Sequence, residues 1–154
     1  MADISTPPSH DLDALRHRRA ELRESLGSLE EALAAPASGR AVIWGERVHT
    51  ALQQLADDFA VHVTLTEGPE GLHAEIQSAA PRLSRAVATL ATEHSVLAAD
   101  IAALVHDTEA PVGDDDIAPV RERGTQVLGM LVRHRQRGAD LVYEAFQTDL
   151  GAGD

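Results

Sequence analysis

The chain of 154 residues contains no cysteine. That excludes disulfides and any thiolate metal site, so a bound metal would have to use histidine and carboxylate ligands, donors that suit iron, manganese or zinc. Lysine is missing too: every one of the thirteen basic residues is arginine, set against 25 acids for a net charge of −12. An acidic surface of this size argues against nucleic acid and anionic membranes as partners. Aromatic residues make up only 3%; with alanine abundant, this favours close-packed helices over strands. The N-terminal stretch has no apolar core of the kind a signal peptide needs, and no run reads as a membrane span. The expectation is a cytoplasmic protein of one domain, long enough to bury a core without staples.

What the chain does have is heptad spacing. From Pro81 to Val105 the apolar positions are Leu83, Val87, Leu90, Leu97, Ile101 and Leu104. Placing His94 in the gap between Leu90 and Leu97 makes the steps alternate four and three, a seam along one helix. An imidazole therefore interrupts an otherwise apolar stripe.

Taken in order, residues 1–8 read as a disordered tail, with Pro7 and Pro8 keeping it out of the first helix. A helix over 10–34, capped by Ser9 or Asp11, carries Leu12, Leu15, Leu22, Leu26, Leu29 and Leu33, with Arg19 in the seam between Leu15 and Leu22. Pro36 to Arg40 is a loop. The next helix, 41–67, has the seam Val48, Leu52, Leu55, Phe59, His62 and Thr66, and Gly68-Pro69 stops it. A short helix fits 70–79. Pro81 opens the third long helix, 81–106. An acidic loop follows, whose three aspartates at 114–116 read as capping residues; the oxygen spacing and distal glutamate of a calcium loop are absent. The last helix, 115–149, has the seam Ile117, Val120, Gly124, Val127, Leu131, His134, Gly138, Leu141, Ala145 and Thr148. Gly138, one turn past His134, is a place where a backbone or ligand could approach closely.

Four amphipathic helices with short connections predict an all-α, up-down-up-down four-helix bundle over residues 9–150. Three of them point one histidine at the bundle axis: His62, His94 and His134. Each buried imidazole needs a partner, so the three should be buried and converge on a metal or a shared polar network. His10, His17, His49 and His73 are expected to be more exposed.

Glu93-His94 followed by Leu97, Ile101 and Leu104 resembles the signature of hemerythrin-like (HHE cation-binding) domains. So do His62 with Glu67 behind it, and His134 followed by Asp140 and Glu144. The halves also look like a repeat: 94 − 19 = 75 and 134 − 62 = 72 relate the first pair of helices to the second. The resemblance implies a four-helix bundle holding non-haem iron through histidine and carboxylate ligands, often as a diiron pair. Its ligand set is incomplete here. Arg19 stands where the first helix should offer a ligand, Ala98 where a second histidine belongs, Thr66 where a carboxylate belongs (Glu67 is one residue late), and Ala139 where the final acid belongs.

The remaining candidate ligands are His62, Glu67, His94 and His134, enough for one metal with open positions. If the site is instead lost, no cofactor is expected, and Arg19 should reach inward to pair with Glu67, Asp140 or Glu144. If it survives, Arg19 should turn outward to a surface acid. The functional expectation is a metal or small-ligand binder serving oxygen or iron handling or sensing. The alternative is a metal-free bundle acting as an interaction or oligomerisation module, with its protein partner unidentified. No nucleophile–base arrangement, nucleotide loop or zincin motif suggests an enzyme.

Overall fold

Burial follows the seams. The structure, a computed structural model, describes residues 9–146, with side chains from Arg16 onward. The expected tail at 1–8, the helix end at 147–149, the capping side chains of Ser9 and Asp11, and Leu12 and Leu15 lie outside the described residues or side chains. The described chain is helical without strands: α1 (Ser9–Ala34), α2 (Ala41–Glu67), α3 (Leu72–Ala79), α4 (Ser84–Asp107) and α5 (Ile117–Phe146), with 3₁₀ turns at Pro81–Leu83 and Asp114–Asp116. On α1, Leu22, Leu26, Leu29 and Leu33 are buried; on α2, Val48, Leu52, Leu55 and Phe59; on α4, Val87, Leu90, Leu97, Ile101 and Leu104; on α5, Val120, Val127, Leu131 and Leu141. These are the positions that three-four spacing places on one face.

The four long helices pack in a ring, α1 on α2, α2 on α4, α4 on α5 and α5 on α1, while α3 packs on α2, α4 and α5. The pairs His49–Thr108 and His62–His94 between α2 and α4 join early positions of one helix to late positions of the other. Asp107–Arg123 and Glu93–His134 do the same between α4 and α5. α2 and α4, and α4 and α5, therefore run antiparallel.

Helix ends and connections are set locally. Gly39 has φ 70°, the left-handed conformation that glycine takes without steric penalty, and it turns the chain between α1 and α2. The last carbonyls of α1 are covered from α5: Arg121 donates to Leu33 O at 2.8 Å and to Ala35 O at 2.6 Å. The Arg121 guanidinium also lies 5.3 Å from the ring centre of Trp44, a cation–π contact at the same end of the bundle. Pro81 occupies the first turn leading into α4. The Asp116 carboxylate accepts from the Gly113 N–H at 2.9 Å, so the acidic run does cap the approach to α5.

Two expectations about spacing and hydropathy need correction. No described neighbouring atom lies within 4 Å of where a Cβ on Gly138 would stand, so no backbone makes the close approach expected there; among the described helical glycines the close approaches fall instead at Gly124, against Leu33, and Gly45, against Val112. And Pro81–Asp107 is, by length and a mean hydropathy of 1.3, long and apolar enough to cross a membrane. Its exposed alanines (Ala86, Ala88, Ala98, Ala99, Ala102 and Ala103) raise the hydropathy without requiring burial, while its seam packs in the bundle core.

Candidate metal centre

Two apolar clusters fill the interior. One runs from Leu22 and Trp44 to Leu131; the other gathers Ile76, Leu83, Val87, Leu90 and Leu141. Between them lies a layer of four imidazoles. Phe59, the last apolar seam residue of α2, forms one wall: its ring centre is 5.8 Å from His62, nearly parallel to it, and 5.8 Å edge-on from His94.

The three seam histidines meet. Ring centres are 5.2 Å apart for His62 and His94, 5.9 Å for His62 and His134, and 4.6 Å for His94 and His134. One nitrogen from each lies within 4.8 Å of the others. His94 and His134 are buried as expected; His62 is only half-buried, so solvent reaches the layer on its side. The fourth ring reverses an expectation. His73 is buried, stacked flat on His94 with ring centres 5.5 Å apart and planes 2° from parallel. The docking of α3 on three long helices puts it there. His17, by contrast, is exposed beside Glu21, His49 is half-buried against the Thr108 hydroxyl at 2.9 Å, and the His10 side chain lies outside the described side chains.

Each ring nitrogen has a definite assignment or none. Glu93 Oε2 lies 2.7 Å from His134 Nδ1, and Arg137 holds the other Glu93 oxygen. A carboxylate in that position accepts, so Nδ1 of His134 carries a proton and Nε2 is the atom left to face the layer. A carboxylate behind an imidazole in this way fixes its tautomer and raises its basicity as a ligand. His94 differs: neither ring nitrogen has a hydrogen-bond partner, and both are fully buried. Glu67 Oε2 stands 3.4 Å from His94 Nδ1, but the geometry is not that of a hydrogen bond. The Thr66 hydroxyl turns away from the layer and donates to the His62 carbonyl at 2.9 Å.

Three of the four rings are held unprotonated at neutral pH. Desolvation, and then repulsion from the other imidazoles, holds His62 at a pKa of about 3 and His94 at about 4, against an ordinary 6.5. Desolvation also lowers His73, opposed by the Glu67 carboxylate. Unprotonated imidazole is the form that ligates a metal.

Of the expected ligand residues, His62, His94 and His134 come together, and Glu67 reaches the rim. Asp140 and Glu144 do not join them: both are exposed on α5, Asp140 accepting from the Gln136 amide at 2.8 Å. Neither outcome expected of Arg19 is found. It is exposed rather than drawn into the bundle, and it makes no ion pair with Glu67, Asp140, Glu144 or any other described residue. Sequence reasoning missed His73 and the role of Glu93. The Glu-His dipeptide was a visible signal, but Glu93 serves His134 across the α4–α5 contact rather than its own neighbour. No family model, curated protein or solved structure matches this chain.

Proposed function

We propose that the chain is a mononuclear metal-binding bundle of the hemerythrin-like kind, holding one transition-metal ion through His62, His94 and His134. Glu67 at the rim supplies a carboxylate, and positions remain open for a small ligand. The observation that carries the reading is His94: a fully buried ring beside His62 and His134, with neither nitrogen hydrogen-bonded. Leaving a buried polar atom unsatisfied costs about 1–3 kcal/mol, and a metal ion removes that cost at one nitrogen. An imidazole donor set suits iron, zinc, copper or nickel. A second metal has no support, because Arg19, Ala98 and Thr66 occupy the positions its ligands would need. The role that follows is binding, storage or sensing through the metal's open face.

The test is metal analysis of protein from iron-supplemented cells, together with titration of chelator-treated protein by cobalt(II). One equivalent bound, with a visible band that is lost in His94→Ala, is expected. Glu93→Gln should keep the fold and weaken metal affinity about 10–100-fold, because the ligand-orienting carboxylate is gone. Failure of iron, zinc, copper, nickel and cobalt all to bind rejects the metal reading and leaves the metal-free interaction module.

A further inference from the structure

Three arginines stand together with no ion pair to a described acid. On α1, Arg19 and Arg23 are one turn apart, and Arg135 lies on α5, which packs against α1. The register of that contact is given at its other end, where Leu33 lies against Gly124. Fourteen residues back along α1 from Leu33 is Arg19, and fourteen on along α5 from Gly124 is Gly138. Ten residues from the same pair reach Arg23 and His134, with Arg135 next along the chain. The three guanidinium groups therefore share one level of the α1–α5 face, beside the histidine layer.

None of the three forms an ion pair or hydrogen bond with a described residue, and no acid lies three or four residues from any of them along its helix. In a chain of net charge −12, unshielded cations at one spot are a departure from the surrounding field. The space is open as well. Arg19 occupies a seam position yet is exposed, and no described neighbouring atom lies within 4 Å of where a Cβ on Gly138 would stand. Among the described side chains this leaves a notch in the seam: Arg19 does not turn inward, and Gly138 has no side chain.

We propose that this notch, bounded by Arg19, Arg23, Arg135 and Gly138, is an anion-binding site for a small oxyanion of the phosphate or carboxylate class. Guanidinium forks match both groups with paired N–H donors. An anion there removes the mutual repulsion of the three charges. It is held next to His62, the half-exposed ring of the histidine layer. The site stands whether or not the imidazoles hold a metal.

The experiment titrates chelator-treated, full-length protein with inorganic phosphate, and separately with acetate, at low ionic strength. Arginine Nε–H signals are followed by NMR, and affinity by calorimetry. Saturable shifts confined to Arg19, Arg23 and Arg135 are expected, with affinity weakened at least tenfold in Arg19→Gln and in Arg135→Gln; the stronger anion of the two identifies the ligand class. Arg19 and Arg23 are exposed, so Arg19→Gln and Arg23→Gln should fold, and unchanged amide spectra elsewhere confirm it. Shifts that never saturate with either anion, or affinity unchanged in both glutamine variants, overturn the proposal. Because no metal is present in this titration, failure of the metal reading leaves the result intact.

Discussion

His94 has two ring nitrogens buried without hydrogen bonds, and this makes the site's chemistry visible in stability measurements. An unfolded histidine takes up a proton near pH 6.5, whereas His94 holds off until about 4 and His62 until about 3. Between those values the unfolded chain binds more protons, so folding stability is complete above pH 6.5 and falls as pH drops towards 4. Over the first 1.5 pH units or so below 6.5, His94 alone should cost roughly 2 kcal/mol. Urea unfolding of the metal-free protein at pH 7 and pH 5 measures this; a flat profile would contradict a buried, unprotonated His94. His94→Leu should leave the metal-free protein as stable or slightly more stable, since it replaces two unsatisfied nitrogens with apolar surface of similar size. The same variant should lose any stabilisation by added metal. The seam phase of His94 was legible in the sequence because burial of one helix face is a local, periodic property. The stacking of His73 was not, because it depends on where an eight-residue helix docks.

Helices and their contacts were the most legible level. Long helices were expected at 10–34, 41–67 and 81–106, and α1, α2 and α4 agree to within a few residues; α4 begins later because Pro81–Leu83 forms a 3₁₀ turn. Close approach between elements was not legible, since a glycine in a helix has the same sequence signature whether it faces a neighbour or open space. Gly45 and Gly27 show the difference. A Cβ at Gly45 would stand 2.4 Å from Val112 Cγ2 and 2.6 Å from Val112 Cβ, whereas nothing lies within 4 Å of one at Gly27. Gly45→Ala should therefore destabilise the protein by roughly 1–3 kcal/mol through overpacking of the loop before α5. Gly27→Ala should stabilise it by about 0.5–1 kcal/mol through helix propensity. Thermal unfolding of the pair tests whether Val112 pins that loop to α2; equal effects would show that it does not. Arg19 belongs to this level as well. Its seam position was legible; of the two courses expected, it takes the outward one, without the ion pair to a surface acid expected there.

At the scale of the molecule, binding and folding are coupled. The three imidazoles come from three long helices that must already be packed for their nitrogens to meet, so a metal held by them binds the folded state alone. Metal at one hundred times its dissociation constant should then add about 2.7 kcal/mol of stability. A melting-temperature series with added cobalt(II) or iron(II), reversed by chelator, measures it; a melting temperature indifferent to metal that nevertheless binds would place binding outside the histidine layer. The overall architecture was legible because four seams with short connections leave few other ways to bury them. The completeness of the ligand set was less so: Asp140 and Glu144 lie on the right helix but on its outer side, and Glu93 acts across a contact between helices.

The histidine layer also divides the interior. Leu97, Ile101 and Leu131 lie in the apolar cluster on one side, and Val87, Leu90, Ile76 and Leu141 in the cluster on the other. Along α4 and α5 the two are joined through the rings of His94 and His134 rather than through aliphatic packing. Without a cross-link, the end built from α3, the start of α4 and the end of α5 should open as a unit of its own, before the rest unfolds. Amide hydrogen exchange would then show two protection levels, with Ile76, Val87 and Leu141 in the faster class and Leu55, Ile101 and Leu131 in the slower. An ion tying His94 and His134 to His62 would act as a rivet between the two halves. The protection classes should then merge, so the exchange pattern itself would report whether the centre is occupied.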